Sequence, residues 1–322
     1  MEYFMVKKER YTYMKHTEQL VQEIQKVIVG KEEVIQKVLM AILAKGHILL
    51  EDIPGVGKTT LALAISKTLG LDYKRIQFTP DVVPSDVVGY TVYDKKTGEF
   101  VYKPGAVMCN LLLADEINRT SSKTQAALLE VMEEGNVTVD GHTYEVPKPF
   151  VVISTQNPFG SAGTQMLPQS QLDRFMVKLE MGYPDFESQV NILKDRQEIQ
   201  PLDTIQAVIG KADLEEMQME VSRVKVKDEI LRYITRLAEA TRKHEYIQLG
   251  VSPRGAYAVN NMAKASAYMA GRGYVTPEDV IGIFPAVSSH RVILHPKAKV
   301  SGVSSMSIME EITKTVLVPE IS

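Results

Sequence analysis

The chain has 322 residues, 44% hydrophobic and 24% charged, a composition that can build a large packed core and that excludes extensive disorder. Its formal net charge of −3 supplies no field that would by itself hold nucleic acid or an anionic membrane, and the single cysteine, Cys109, excludes an intrachain disulfide. No apolar stretch reaches bilayer length, charges interrupt the start where a signal peptide would be apolar, and the six histidines never pair at metal-ligand spacing. The expectation is a cytoplasmic protein without structural zinc or membrane contact, of a length that implies two domains.

Residues 1–16 form an arm to which no element is assigned. From Thr17, the spacing of Leu20, Ile24, Val27 and Ile28 predicts a helix closing at Gly30, and Val34, Val38, Leu39, Ile42 and Leu43 predict a second. Ile48 to Leu50 then reads as a strand entering L-L-E-D-I-P-G-V-G-K-T-T, Leu49 to Thr60. Leu61, Ala64, Ile65 and Leu69 leave that loop at helical spacing, up to Gly70. A strand at Arg75 to Phe78 precedes a Pro- and Asp-rich loop, Thr79 to Gly89. Tyr90 to Tyr93 and Phe100 to Tyr102 then form a hairpin about Lys95 to Gly98. Val107 to Ala114 reads as a strand buried on both faces, tipped by Asp115 and Glu116. Thr120 or Ser121 caps a helix ending at Gly135, and Asp140 with Gly141 turns a second hairpin between Val137–Val139 and Thr143–Val146. Phe150 to Ser154 is a further buried strand, followed by a loop of Thr155, Gln156, Asn157 and Pro158. Strands alternating with helices imply an α/β fold with a parallel sheet covered on both faces. Beyond Gly182, Tyr183 and Pro184 the pattern is helical, so the expected domains are 17–184 and 185–322, with no element assigned to the end, 297–322.

The loop carries the chemistry. A helix start offers unpaired N–H groups and a positive dipole end to an anion, and Gly55 and Gly57 let backbone approach phosphate oxygens. Lys58 is placed for the β- and γ-phosphates and the Thr59 hydroxyl for Mg²⁺. Asp52 stands where the strict G-x-x-x-x-G-K-T pattern has its first Gly, so this is a variant P-loop, with Pro54, Gly55, Val56, Gly57, Lys58, Thr59 and Thr60 as its candidate cradle. Asp115, at a strand tip, is a second candidate ligand for Mg²⁺, and Glu116 the candidate general base. Asn157 reads either as a group that orients water or senses the γ-phosphate, or as a turn residue before Pro158. Arg174 reads either as a group that stabilises phosphoryl charge on a neighbouring subunit or as a local partner of Asp173. Ser252, Pro253 and Arg254 read as N-cap, first helical residue and first-turn arginine. An arginine gains nothing from the dipole there, so Arg254 reads either as the partner of a bound anion or as a plain surface arginine.

E-D-I-P-G-V-G-K-T-T, L-L-L-A-D-E-I-N-R, S-T-Q-N-P, Q-L-D-R-F and G-V-S-P-R-G, in that order, resemble the MoxR family of AAA+ ATPases, from about Val21 to about His295. The resemblance implies a Walker A at Gly55, Gly57, Lys58 and Thr59, a Walker B at Asp115 and Glu116, and sensor 1 at Asn157. It implies an arginine finger at Arg174, sensor 2 at Arg254, and adenine contact at the joint that includes Val29 and Gly30. It makes 17–184 a nucleotide-binding core with two inserted hairpins and 185–322 a helical lid. It further implies ATP and Mg²⁺, a homo-oligomeric ring, hexameric in such a family, and chaperone-like remodelling or metal or cofactor insertion in a client. Arg254 would couple hydrolysis to lid motion. This stretch of sequence contains no von Willebrand factor A domain, so such a partner would be a separate polypeptide. Gln169 and Ser170 depart from the family's usual Glu and Ala, and P-F-G-S-A-G-T-Q replaces a more acidic loop. The rival expectations are a DNA-translocating or helicase-like motor, for which Lys95, Lys96, Arg223, Lys225 and Lys227 are the main basic clusters, and a nucleotide-gated scaffold with little turnover.

Overall fold

The computed structural model describes residues 16–157, 166–195 and 201–320. The arm expected at 1–16 lies outside the described residues except for His16, which already belongs to the first helix, and the P-F-G-S-A-G-T-Q loop lies outside them too.

Helix α1 covers residues 16–25, and Val27 and Ile28 fall in the turn before Gly30 rather than in the helix itself. Helix α2 (Glu32–Leu43) leads to β1 (Ile48–Glu51), α3 (Lys58–Thr68) and β2 (Tyr73–Gln77). The Pro-rich loop contains a short helix, α4 (Pro84–Val88), that the sequence pattern did not suggest. Pro84 presets its first turn, and the Asp86 carboxylate accepts the Val83 N–H at 2.9 Å. The first hairpin is β3 (Gly89–Asp94) with β4 (Glu99–Pro104). Strand β5 is only Leu111–Asp115, shorter than the run from Val107. The amides of Ala106 and Val107 donate to Asp86 and Val87 of α4 instead of to a strand. Helix α5 (Ser122–Glu134) is capped by Ser121, whose hydroxyl accepts the Thr124 N–H. Strands β6 (Asn136–Val139) and β7 (His142–Glu145) turn at Asp140 and Gly141, both with positive φ as a type I′ turn requires.

Strand β8 (Val151–Gln156) runs two residues past its expected end, and α6 (Gln169–Leu172) precedes a strand the sequence reading missed, β9 (Val177–Leu179). Arg174 therefore stands on the short segment that leads into a core strand. The rest is α7 (Phe186–Asp195), α8 (Lys211–Arg223), α9 (Asp228–Lys243), β10 (Ile247–Leu249), α10 (Pro253–Met269), α11 (Pro277–Ser288), β11 (Ile293–Leu294), α12 (Pro296–Val300) and α13 (Ser305–Thr315). Helix α13 occupies the end left unassigned, capped by Ser304 and buried through Ile308, Met309 and Ile312.

The sheet order is β2-β5-β8-β1-β9, with every neighbouring pair parallel. Alternate residues serve opposite faces. Ile48, Leu50, Leu111, Leu113, Val151 and Ile153 join the cluster that continues into α2, α3 and the later helices. Leu49, Leu112, Ala114 and Val152 join the cluster built with α5 and the hairpin residues Val137 and Val146. The chain leaves β1 for the far edge and returns to its other side as β9, so β1 is the switch point outside whose carboxyl end such sheets bind ligands.

The opposite, N-terminal edge is fastened by buried polar groups. His47, just before β1, donates from Nε2 to the Met132 carbonyl at 3.0 Å and accepts the Val152 N–H at Nδ1, also at 3.0 Å. Arg291, 4% exposed, joins the helical part to the segment ahead of β9: it donates to the Asp173 carboxylate at 2.8 Å, and to the Phe175 and Met176 carbonyls. Gln169 and His290 add bonds across the same seam, to the His290 and Phe175 carbonyls respectively.

Desolvation pushes the His47 pKa down to about 4, and the imidazole is neutral in the fold. The unfolded chain takes up this proton near pH ~6.5 while the folded chain does not. The contribution is therefore fully present above that pH and is lost as pH falls from there to about 4, by roughly 3 kcal/mol. Urea unfolding across this window is expected to show that loss in the parent and a clearly flatter dependence in His47→Gln.

Candidate functional site

The loop between β1 and α3 closes with Gly55 at φ +85° and Gly57 at φ +96°. A Cβ would meet nothing within 4 Å at Gly55 and only Met181 Cε, at 3.8 Å, at Gly57, so within the chain itself it is the positive φ that demands glycine. Among the described residues no side chain caps the start of α3, which leaves the first-turn amides of Lys58, Thr59 and Thr60 for an anion. Lys58 Nζ donates to the Asp52 and Ile53 carbonyls at 2.8 and 2.7 Å, folding its ammonium back over the loop. Partial burial lowers its pKa, the largest effect, while the charges of Asp52, Asp115 and Glu116 pull it back up. Those four charged groups therefore share one electrostatic site.

Asp52, the departure from the strict motif, is buried and structural. Its Oδ1 accepts the Ile53 N–H at 2.8 Å, and its Oδ2 accepts the Met181 and Gly182 N–H groups at 2.7 and 2.6 Å. The base of the loop is thus tied to the chain leaving β9. The same segment reaches the Gly30 joint: Lys31 donates to the Tyr183 carbonyl at 2.8 Å, and a Cβ at Gly30 would sit 2.5 Å from Ser188 Oγ. The segment after β9 thus touches both the loop and the Gly30 joint.

Asp115 and Glu116 are organised by a residue that the sequence reading placed in a loop. Thr155, on β8, donates from Oγ1 to Asp115 Oδ1 at 2.6 Å and accepts the Glu116 N–H at 2.9 Å. Glu116 takes a left-handed conformation, φ +57° and ψ +48°, unusual for a residue with a side chain and enough to turn its carboxylate off the strand direction. Strand β2 supplies two more residues that no sequence signal marked: Arg75 donates to Asp115 Oδ2 at 2.6 Å, and Gln77 donates to Glu116 Oε2 at 2.9 Å. Arg119 pairs with Glu116 within its own chain, at 2.7 Å. Asn157, one residue past β8, accepts from the buried Asn118 Nδ2 through its carbonyl at 3.3 Å, while Asn118 Oδ1 is buried with no partner. The cradle, Thr59, Asp115, Glu116 and Asn157 all lie at the carboxyl edge of the sheet. Among the described residues there is no cluster of His, Cys, Asp and Glu that could hold a metal by itself, so a cation here would need phosphate oxygens to complete its shell. One carboxylate and one hydroxyl beside a phosphate cradle suit Mg²⁺, which takes few protein ligands.

Arg174 and Arg254 lie elsewhere. Met176 N–H donates to the His47 carbonyl, and Val177 is in register with Ile48, so Arg174 sits at the N-terminal edge of β1. The four steps from Ile48 to Asp52 alone span about 13 Å. Arg254 lies beside Arg174 rather than beside its own P-loop: Arg174 Nε and Arg254 Nη1 are each 3.0 Å from a carboxylate oxygen of Glu133, at the end of α5. Both arginines therefore stand away from the P-loop of their own chain. The local pair of Arg174 with Asp173 does not form either, because Asp173 is taken by Arg291. Both hairpins belong to this edge and dock on each other, with Tyr102 and Tyr144 stacked at 4.0 Å and Thr91 bonded to Asp140.

A profile of the ATPase family associated with various cellular activities matches residues 47–177, and one of the AAA lid domain matches 239–312. YeaC of Bacillus subtilis is 50% identical over 93% of this chain and 93% of its own. Chaperone MoxR1 of Mycobacterium tuberculosis is 37% identical over 95% of this chain and 84% of its own. A crystal structure from Cytophaga hutchinsonii superposes with a TM-score of 0.91 at 36% identity, covering 99% of this chain and 100% of that one. Among the described residues no helix is long and apolar enough to cross a membrane.

Restoring the strict motif is expected to harm this protein. Asp52→Gly strands three buried or half-buried amides, at a cost of about 1–3 kcal/mol for a group left fully unsatisfied, and loosens the loop. A lower urea midpoint together with weaker binding of a fluorescent ATP analogue is the expected result, and unchanged values of both would contradict the anchoring role.

Proposed function

The chain belongs to the MoxR family of AAA+ ATPases and is an ATP-hydrolysing enzyme; from that premise we propose that it works as a homo-oligomeric ring in which every nucleotide is shared by two copies. The observation that carries this reading is the split between the two edges of the sheet. One edge has the cradle and the carboxylates but neither Arg174 nor Arg254; the other has both arginines and, among the described residues, no phosphate cradle. Each chain thus holds two complementary halves of a site, which a head-to-tail ring brings together. Arg174 and Arg254 then both face the phosphates of a neighbour, and lid motion in one copy is read by the nucleotide of the next.

In this reading the core is 17–184 and the lid 185–322. The amides and Lys58 of the P-loop bind the phosphates, and Val29 and Gly30 lie along the base. Thr59 and Asp115 would hold Mg²⁺, which supplies charge neutralisation on the β- and γ-phosphate oxygens when bound. A carboxylate oxygen of Glu116 accepts the proton of the attacking water, and Asn157 orients that water. Gln77 and Arg119 both donate to Glu116 Oε2 and so set the direction of that carboxylate. Arg75 competes with the cation for Asp115 Oδ2. Hydrolysis drives chaperone-like work on a client protein, of which remodelling or metal or cofactor insertion are the candidate forms. A hexamer, a cytoplasmic setting and a separate von Willebrand factor A domain partner complete the proposal. MoxR1, a relative named as a chaperone, supports the client role.

ATP turnover per subunit is expected to rise with protein concentration in the parent. In Arg174→Ala and Arg254→Ala it should stay low at every concentration while the subunit still binds ATP; an arginine that completes a phosphoryl-transfer site is worth about 10³-fold or more. Turnover that is flat with concentration and indifferent to both arginines would overturn the shared site. Glu116→Gln is expected to retain ATP binding and lose hydrolysis, measured by filter binding beside phosphate release.

A further inference from the structure

Arg174 and Arg254 come from different parts of the molecule, one from the segment ahead of β9 and the other from the first turn of α10, yet they converge on one carboxylate. Each oxygen of Glu133 takes one arginine, Oε2 with Arg174 Nε and Oε1 with Arg254 Nη1, both at 3.0 Å. Two guanidinium ions drawn to one site repel each other, and the carboxylate between them offsets that repulsion. Arg254 has a further need of one, because it stands at the positive end of the α10 dipole. Each pairing engages one nitrogen of its guanidinium, and among the described residues no other side-chain partner is recorded for either arginine. Their side chains are 29% and 47% exposed, within reach of a second copy, whereas nearby Arg291 at 2% is sealed inside the seam. Two arginines and one glutamate leave the cluster net positive.

We propose that Glu133 is a positioning residue that holds Arg174 and Arg254 together as one cationic clamp for the phosphates of ATP bound to a neighbouring copy of this chain. The proposal rests on the ring reading above and adds to it a residue that neither binds nucleotide nor supplies charge to the reaction. Because α5 belongs to the core and α10 to the helical part, Glu133 also makes the distance between the two arginines a function of how the lid sits. A half-exposed ion pair contributes little to folding, so the loss of Glu133 should be felt in turnover and hardly in stability.

Mixed rings test this. Lys58→Ala subunits lose their own nucleotide site but still present their arginines to a neighbour, so in large excess over the parent they make the few parent sites depend on donated clamps. Three such partners are compared: Lys58→Ala alone, Lys58→Ala with Glu133→Gln, and Lys58→Ala with Arg174→Ala. The expected result is that the Glu133→Gln partner lowers turnover of the parent sites at saturating ATP by about 10- to 100-fold, the scale of a misplaced reacting group. Half-saturation for ATP, binding of a fluorescent ATP analogue and the unfolding temperature of Glu133→Gln (within about 2 °C) stay unchanged. If the Arg174→Ala partner slows turnover and the Glu133→Gln partner does not, the ring stands and the positioning role is wrong. If neither partner slows the parent sites, the shared site itself is wrong and the clamp falls with it.

Discussion

Five strands that all run the same way give the sheet two unlike ends, and the rest of the structure depends on that polarity. At the carboxyl edge, chain leaving β1, β5 and β8 delivers a helix start, two carboxylates and an asparagine to one place. At the other edge, chain entering β5 and β8 delivers the two hairpins, chain entering β9 delivers Arg174, and α10 adds Arg254. Because β1 is the switch point of the sheet, its loop faces the opening that the reversal of strand order leaves, and the phosphate cradle has room there. A parallel arrangement costs long crossovers, and those crossovers are the helices that bury both faces.

The carboxyl edge is a network of carboxylates held by neutral and cationic groups together. Thr155 fixes Asp115 with its hydroxyl proton and Glu116 through the backbone, while β2 reaches across with Arg75 and Gln77. Each carboxylate is thereby given a defined direction, which matters more for phosphoryl-transfer chemistry than its mere presence, since positioning and electrostatics account for most of that catalysis. Asp52 contributes from below by securing the loop to the chain after β9, and its buried carboxylate accepts three amides that would otherwise be stranded.

The seam between the sheet and the helical part depends on a buried cation. Arg291 is kept charged there by Asp173 and by carbonyls of the segment that carries Arg174, so the position of the arginine ahead of β9 and the position of the helical part are mechanically one variable. Burial lowers the Arg291 pKa to about 10, with Asp173 opposing the shift, which leaves the guanidinium ionised at neutral pH. Breaking such a pair from either side leaves an uncompensated charge, and this specifies the seam even where apolar packing alone would tolerate sliding.

The sequence by itself determined what is local. The P-loop, the strand tips carrying Asp115 and Glu116, the caps at Ser252 and Gly135, and the turn at Asp140 and Gly141 all follow from residue types at fixed short spacing, and the ordered motifs pointed to the family. It overran where an apolar run continued past the hydrogen-bonding limit of a strand, as at Val107 to Asn110, and it missed β9, whose three residues V-K-L are too few to show a period. Only the tertiary structure decided which groups meet. Arg75 and Gln77 carry no motif, Thr155 reads by sequence as part of a loop, and all three join the site because β5 lies between β8 and β2; Arg254 meets Glu133 because α10 packs its first turn toward the end of α5. The physical reason is the same in each case: hydrophobic spacing and turn chemistry act over a few residues, whereas strand order and helix docking bring together side chains about 40 to 120 positions apart.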